Sequence, residues 1–424
     1  MDGLLYIFVF LIITVLLALQ VLYSSPSRNS RALFLELKSE ESSALIEGIS
    51  RFEWYRTKVN LNGLKTASNV RTLYAYEFDH EISVSISSWN FQGSKAFCRY
   101  LDSDGNTIGE PEERFAFPDY IVNCRKRKGA KTIGISVEKD GHFQPLPLID
   151  RTGTGGVSTI LSPFQTLYLG FQGVEHFYVY IFEASRYDRK VIHDYARTGE
   201  IEVHYLLERD QRPVWKWQLV HIADCLLRSR ESRWTVFGDL DERFIVENGN
   251  TLRGFMEEVR DPKVGGVQFR QQFVLKHHPM EQRYQGAEQV SRLLEPGAFR
   301  ITGRLQIRRI LPSRRYHTTT GVASKGYASK CIVDSSKVLR MDIHSVGAFF
   351  PAHDFYLIDL PAERGVIRHY RDTSLGNWTQ VYLRSMIEKF GALRLTDYPK
   401  TLLGELTENV RKRAHFVYAN DAGD

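Results

Sequence analysis

The sequence has few cysteines and lacks the short motifs that bind nucleotides through a glycine-rich loop. Its 424 residues include four cysteines, too few for a disulfide-stabilised scaffold, and their positions lack the paired spacing of a zinc site. The glycine-rich stretch at 153–156 is too short for a Walker P-loop or a dinucleotide fingerprint. Internal repeats and low-complexity tracts are also missing. Disulfide-rich, zinc-finger and P-loop proteins are therefore excluded.

The chain also lacks a strong excess of charge of one sign. Its 56 basic and 50 acidic residues give a net charge of +6, which is mild over this length. Such a charge suits an anionic ligand, and we expect no nucleic-acid partner. Hydrophobic residues at 43% and charged residues at 25% are ordinary globular values, which exclude a disordered, collagen-like or multi-span membrane protein. The length predicts two or three domains.

One long hydrophobic run is present, at residues 4–23, and Gln20 is its only strongly polar member. Roughly 20 apolar residues are enough to span a bilayer as a helix. A cleavable signal peptide is the alternative, but its apolar core usually has about 7–15 residues and a basic residue before it. We therefore expect a retained signal-anchor. Basic residues follow the run, and the positive-inside rule would therefore put the bulk of the chain in the cytoplasm. Because large domains translocate largely regardless of charge, the sequence alone leaves the side of the membrane undecided.

The rest of the chain divides into a stem and two domains. Residues 24–51 form the predicted stem, and residues 52–150 a β-rich domain. The alternating segments 81–87 and 131–137 predict strands of a small β-sandwich. Cys98 and Cys124 both lie in this region and would pair in an oxidising compartment, whereas Cys225 is expected to be a buried thiol.

Residues 157–424 have a different pattern, in which strands alternate with helices. A predicted helix at 215–229 is followed by a predicted strand at 234–238. This alternation predicts an α/β domain with a mostly parallel sheet.

An acidic turn, 239–242, follows that strand. Strand alternation predicts Asp239 and Asp241 on one side and Leu240 on the other, toward the core. Carboxylates at the carboxyl end of a strand in an open α/β sheet lie where ligands bind, and a divalent cation relieves their repulsion and holds a diphosphate. The alternative is a helix-capping or solvated acidic turn. A second Asp-x-Asp, starting at Asp102, lies in a tight turn and is expected to be a chance occurrence.

An ordered set of short segments around this turn resembles glycosyltransferase family 92. The segments are 173–180, 217–218, 223–230, 239–243, 329–333 and 368–371. The resemblance implies a GT-A-like α/β fold of mostly parallel strands flanked by helices, and one N-terminal anchor with the C-terminal domain in the Golgi lumen. It also implies inverting transfer of a hexose, typically from UDP-galactose, to a glycan acceptor.

The resemblance extends to the metal site. GT-A enzymes often complete it with a histidine, and His369 and His344 match the family's pattern; an imidazole ligand favours Mn²⁺ over Mg²⁺. The alternative for each is a structural histidine bonded to the backbone. Arg371 is a candidate for pairing with the diphosphate, and a surface salt bridge is its alternative.

Several other residues are weaker candidates. Asp224 and Arg228 lie four residues apart on one helix face, which suits a simple salt bridge or a place beside the nucleotide. Inverting transfer needs a carboxylate base, for which Asp342 and Asp354 are weak candidates. Asn377 begins an Asn-Trp-Thr glycosylation sequon, usable only in the lumen.

The sequence thus predicts a membrane-anchored, metal-dependent glycosyltransferase. The rival is a catalytically degenerate membrane protein that binds carbohydrate. The segment 165–172 is shorter than the family's usual helix-containing segment, which leaves an inactive relative open.

Overall fold

The computed structural model describes residues 70–87, 93–152, 158–160, 172–181, 184–205, 214–247, 250–276, 311–350, 353–370 and 383–418. The predicted anchor at 4–23 and stem at 24–51 lie outside these ranges. Among the described helices, none is long and apolar enough to cross a membrane.

Residues 71–150 contribute one seven-stranded sheet. Its strands are β1 (Arg71–Glu77), β2 (Glu81–Ser87), β3 (Lys95–Leu101), β4 (Glu112–Phe115), β5 (Ile121–Arg125), β6 (Thr132–Ser136) and β7 (Leu146–Asp150). They lie in the order β4-β3-β6-β7-β1-β2-β5, in which β4, β3 and β6 on one side and β1, β2 and β5 on the other are joined through β7. A bridge between Ala116 and Val122 connects the two ends of this order. The sheet therefore curls around one apolar core.

A disulfide crosses this core. Cys98 on β3 is bonded to Cys124 on β5, with their Cα atoms 6.1 Å apart. The predicted pairing is confirmed, and Cys225 is a buried thiol as expected.

The alternation of polar and apolar residues in β2 is typical of a strand with one exposed face, but the structure buries both of its faces. Its apolar residues face the core of the first sheet, as alternation predicts. Its serines are buried as well, because a helix of the following region covers them; Ser85, for example, donates a hydrogen bond to Asp224. Alternation thus identified the strand, but the helix that covers its polar face belongs to a segment more than 100 residues later in the chain.

The remaining strands form a larger sheet and a separate hairpin. They are β8 (Ser158–Ile160), β9 (His176–Ile181), β10 (Ile201–Tyr205), β11 (Thr235–Phe237), β12 (Glu242–Val246), β13 (Val264–Val274), β14 (Thr318–Val322), β15 (Lys330–Val333), β16 (Val338–Met341), β17 (Val346–Phe349), β18 (Tyr356–Asp359), β19 (Gly365–His369) and β20 (Arg394–Leu395). Strands β16 and β17 pair with each other. The other eleven form one sheet with the main order β10-β9-β8-β11-β15-β13-β14-β20.

This second sheet is mixed. Strands β10, β9, β8 and β11 are parallel, whereas β15 runs antiparallel to both β11 and β13. The α/β class is therefore confirmed, but the sheet has a large antiparallel part that the sequence did not predict. Local alternation identifies strands and does not fix the direction of their neighbours.

Helices pack against this sheet. They are α1 (Arg186–Arg197), α2 (Val214–Arg228), α3 (Leu252–Glu257), α4 (Pro312–Arg315), α5 (Leu383–Phe390) and α6 (Lys400–Tyr418). Helix α1 is capped by Ser185, whose hydroxyl accepts a hydrogen bond from the backbone N–H of Asp188. Its Val191, Ile192 and Tyr195 join α6 and the sheet in the largest apolar core. Helix α2 lies between the two sheets: its Leu227 packs with Tyr76 of the first sheet, and its Leu226 packs with Phe237 of the second.

Candidate active site

Three neighbouring strands bring the candidate site together. Strand β19 runs antiparallel to β12, with His369 opposite Glu242, and parallel to β13, with His369 opposite Phe273. Beyond the ladder, the backbone N–H of Tyr370 donates to the carbonyl of Asp241 at 2.7 Å. Residues more than 90 positions apart in the chain therefore meet at one end of these strands.

The acidic segment is a turn. The backbone N–H of Glu242 donates to the carbonyl of Asp239 at 3.2 Å, between the end of β11 and the start of β12. Leu240 is 56% exposed, so the prediction that it points to the core was wrong. The physical reason is that strand alternation ends at Phe237, and the turn carries Leu240 outward.

Asp241 and His369 face each other. The Oδ2 atom of Asp241 lies 3.1 Å from Nε2 of His369, and the Asp241 side chain is 37% exposed. Burial by itself would raise the pKa of Asp241 and lower the pKa of His369. The hydrogen bond and the charge of His369 nevertheless lower the pKa of Asp241, and the carboxylates around His369, Asp241 foremost, raise its pKa.

Asp239 has a different partner. Its Oδ2 atom accepts a hydrogen bond from the ammonium of Lys330 at 2.8 Å, and its Oδ1 atom accepts from the side-chain amide of Gln218 at 3.1 Å. Lys330 is buried, and burial opposes its charge, but Glu242 and Asp239 raise its pKa. A cation of the protein itself therefore neutralises part of the acidic turn.

Glu242 connects the two halves of the site. Its side chain is fully buried; Oε2 accepts from the backbone N–H of Asp239 at 2.8 Å and lies 3.8 Å from the ammonium of Lys330. Its other oxygen accepts from the amide of Gln271. Burial raises the pKa of Glu242, with Asp239 adding to the rise and Lys330 opposing it.

The site offers a metal ion two convergent ligands. Within the described ranges, no three side chains of His, Cys, Asp or Glu are grouped so that they could hold an ion by themselves. Asp241 and His369 do converge, and their 3.1 Å separation matches the roughly 3 Å between neighbouring ligand atoms in an octahedral shell. Small divalent cations in nucleotide sites usually take further oxygens from substrate phosphates and water. The pair therefore fits an ion that the substrate helps to bind.

A family profile, that of glycosyltransferase family 92, matches residues 167–406, more than half of the chain and all of this site. The chain belongs to glycosyltransferase family 92. The resemblance seen in the short segments is thereby confirmed.

Individual relatives are more distant. Over 94 residues the family-92 chain is 30% identical to a galactan beta-1,4-galactosyltransferase, GALS1, of Arabidopsis thaliana. The match spans 22% of this chain and only 17% of that relative. Among solved structures, the β-glucuronidase of Ruminococcus gnavus in complex with D-glucuronic acid matches with 10% identity and a TM-score of 0.15, over 39% of this chain and 34% of that one. A second complex of that enzyme, with D-glucaro-d-lactam, gives 9% identity and a TM-score of 0.16. At these TM-scores the likeness supports no inference.

His344 is the other candidate histidine of this family-92 chain. It is hydrogen-bonded to the backbone, which agrees with the alternative interpretation of a structural histidine. Its Nδ1 atom lies 3.3 Å from the carbonyl oxygen of Ser329. Burial and the Lys330 ammonium lower the pKa of His344 to about 4, against the influence of Asp239. It therefore lies near the acidic turn as a neutral ring, and its role as a metal ligand stays a prediction.

Asp224 and Arg228 form the salt bridge that the sequence left open. Arg228 Nε lies 3.0 Å from Asp224 Oδ2, and both side chains are almost fully buried between the two sheets. In this structure the pair has little surface to offer a nucleotide. A contact of Asp224 or Arg228 with the nucleotide stays a prediction, which the distances within this pair do not support.

The remaining candidates are less informative. Asp342 lies 3.2 Å from Arg340, and Asp354 occupies a left-handed backbone position with φ of 50°. Neither observation identifies a catalytic base. Arg371 and Asn377 lie outside the described residues, as does the shortened segment except Gln172.

Sequence reasoning missed Lys330, Gln271, Gln218 and the buried role of Glu242. Lys330 and Glu242 both lie in segments that resemble the family, and this resemblance could have marked them as site residues. Gln271 gave no signal, because its position depends on the pairing of β13 with β19.

Proposed function

We propose that this chain is a membrane-anchored hexosyltransferase that transfers galactose from UDP-galactose to a glycan acceptor, with inversion and with Mn²⁺. The observation that carries the proposal is the convergence of Asp241 and His369 on the acidic turn of a family-92 chain. We also propose a GT-A arrangement for residues 157–424, which the four parallel strands β10, β9, β8 and β11 support.

The residues of the site divide the work. Asp241 and His369 would hold the ion, with Asp239 and His344 beside them. When bound, the ion holds the donor diphosphate and neutralises the charge that develops on it as the leaving group. Lys330 donates a hydrogen bond to Asp239 and adds a positive charge near the same place. The acceptor hydroxyl needs a carboxylate base, for which Asp342 and Asp354 remain the candidates.

Galactose is proposed from the distant relative, a galactan beta-1,4-galactosyltransferase. The relative shares only a short stretch, so the acceptor is proposed no more closely than as a glycan. Inversion comes from the resemblance to characterised family-92 enzymes.

The proposed location is the Golgi lumen, with the run at 4–23 as anchor. The Cys98–Cys124 disulfide supports this, since disulfides persist in oxidising compartments. Glycan attached to Asn377, detected by mass spectrometry, would place the C-terminal part in the lumen. A mature N-terminus near Ser24 would contradict the anchor.

We further propose that residues 52–150 and 157–424 are separate domains. Each of the two regions has its own sheet and apolar core, which supports a boundary between them. Limited proteolysis should cut first near 152–156, and a first cut within 215–238 would show that the boundary is misplaced.

The test of the function is a donor screen of the full chain with and without Mn²⁺. Galactose transfer or UDP-galactose hydrolysis that requires Mn²⁺ supports the proposal. Sugar binding without turnover for every donor would favour the rival, a degenerate carbohydrate-binding protein.

A further inference from the structure

The ring of His369 is fixed from two directions. Phe273 stacks on it, with ring centroids 5.4 Å apart and planes 30° apart. Gln271 lies two residues before Phe273 on β13 and therefore on the same face of the sheet. Its Oε1 atom is 2.9 Å from Nδ1 of His369. Stacking fixes the plane of the ring, and the hydrogen bond fixes its rotation within that plane.

The orientation of the Gln271 amide is itself determined. Its Nε2 atom donates to Oε1 of Glu242, so its carbonyl oxygen is turned toward His369. Glu242 is in turn held by the backbone N–H of Asp239 and lies near the Lys330 ammonium. A carbonyl oxygen only accepts, so the hydrogen of this bond belongs to Nδ1 of His369.

This assignment has a consequence for the other ring nitrogen. A neutral histidine that carries its hydrogen on Nδ1 has its lone pair on Nε2. Nε2 is the atom that lies 3.1 Å from Asp241. Without a metal, a hydrogen on Nε2 donates to the Asp241 carboxylate; a bound ion would take the place of that hydrogen, whereas Nδ1 keeps its own. Histidine ligands in metal sites commonly donate their second ring N–H to a carbonyl or a carboxylate, which fixes the tautomer.

We propose that Gln271 is a positioning residue, which holds His369 in the Nδ1–H tautomer so that Nε2 and Asp241 together accept the metal ion. The inference rests on the proposed function, because it needs the Mn²⁺ site. Glu242 anchors Gln271 and couples it to Asp239. Asp239 and Asp241 are thus joined through one chain of hydrogen bonds, whose middle members, Glu242 and Gln271, are buried.

The chain contains a matched control next to Gln271. Gln272 is also a buried glutamine of β13, and its Nε2 atom donates to the carbonyl of Thr320 at 3.1 Å, on the opposite face of the strand. Substitution of either glutamine by methionine keeps the size of the side chain and removes its hydrogen bonds. Only Gln271→Met removes the acceptor of His369.

The experiment measures the affinity for Mn²⁺ of the full chain and of both variants in the presence of saturating UDP. Mn²⁺ is titrated into each protein, and electron paramagnetic resonance measures how much of it is bound. We expect Gln271→Met to weaken Mn²⁺ binding by about 10- to 100-fold, the usual loss for a removed outer partner. Gln272→Met should retain wild-type affinity.

The unfolding temperature without metal reports any loss of folding. If Gln271→Met does not fold, Gln271→Asn, whose shorter side chain withdraws the oxygen from His369, is the second variant and should also lose affinity.

Wild-type Mn²⁺ affinity in a folded Gln271 variant would overturn the inference, and so would equal losses in the two methionine variants. A wild type that binds no Mn²⁺ overturns both the inference and the metal assignment. A wild type that binds Mn²⁺ and transfers no sugar contradicts the proposed function alone, and the inference is then judged by the affinities of the variants.

Discussion

The carboxylate of Asp224 and the carboxylates of the acidic turn differ in how completely the protein satisfies them with hydrogen bonds. Asp224 is 1% exposed and accepts four hydrogen bonds, from Tyr76, Ser85, Tyr180 and Arg228. Asp239 and Asp241 are 39% and 37% exposed, with hydrogen-bond partners from within the protein and a face open to solvent. The first arrangement stabilises the fold, whereas the second leaves room for a ligand.

The position of Asp224 explains its role. Two of its donors, Tyr76 and Ser85, come from the first sheet, and Tyr180 comes from the second. Arg228, held by Asp224, also reaches Glu202 and lies 4.2 Å over the ring of Tyr74. The helix between the sheets is thereby tied to both of them through buried polar contacts.

The largest expected effect concerns this cluster. Asp224→Ala should lower the free energy of unfolding by about 3–5 kcal/mol, because it leaves a buried guanidinium with one partner fewer and removes an acceptor from three buried hydroxyl groups. Urea denaturation measures the change. Glu388→Ala, which removes an exposed pair with Arg384, should cost less than about 1 kcal/mol. Equal losses in both variants would remove the contrast on which the comparison depends.

A second prediction concerns the pH dependence of the same cluster. Burial lowers the pKa of His221 to about 4, and its ring stacks on Tyr180 at 5.1 Å. Between its ordinary pKa of 6.5 and pH 4 the unfolded chain binds a proton that the folded chain does not, so this histidine makes stability fall as pH falls.

His221→Phe keeps a stacked ring and removes the titration. The free energy of unfolding should then depend less steeply on pH between 6.5 and 4, by up to about 1.4 kcal/mol per pH unit. Urea denaturation at several pH values measures the slope. A slope equal to that of the wild type would show that His221 is not held neutral.

The smallest expected effect is at the acidic turn. Leu240→Asn should change the free energy of unfolding by no more than about 0.5 kcal/mol, because the side chain is exposed. Leu226→Asn, in a buried position of α2, should cost at least about 1–3 kcal/mol for an unsatisfied amide. Thermal unfolding of both variants gives the comparison. A large loss for Leu240→Asn would mean that the turn packs as a strand after all.

The parts of the structure that could be predicted from sequence are the local ones. Alternation gave β2, and the helical pattern gave α2 within one residue at each end. The acidic turn was found because two carboxylates follow an apolar strand. Its partner His369 was found only through the resemblance to the family, since nothing local connects residues 241 and 369.

What could not be predicted depends on pairing between distant strands. Lys330, Gln271 and Glu242 meet because β15, β13 and β12 belong to one sheet whose order the sequence does not reveal. The buried serines of β2 and the place of Asp224 likewise follow from helix α2 lying between the sheets. Leu240 was misplaced because alternation was continued past the end of its strand.

The most direct test of the contrast is to measure transfer activity per folded molecule and unfolding free energy together in Asp241→Asn and Asp224→Asn. Asp241→Asn should lose transfer by more than the roughly 10- to 100-fold expected for an outer partner of a metal, with a smaller loss of stability than Asp224→Asn. Asp224→Asn should lose stability and keep its activity per folded molecule. Asp102→Asn, in the other Asp-x-Asp, should retain wild-type activity. Mn²⁺-dependent transfer at the wild-type rate by Asp241→Asn would contradict the assignment of the open cluster as the active site.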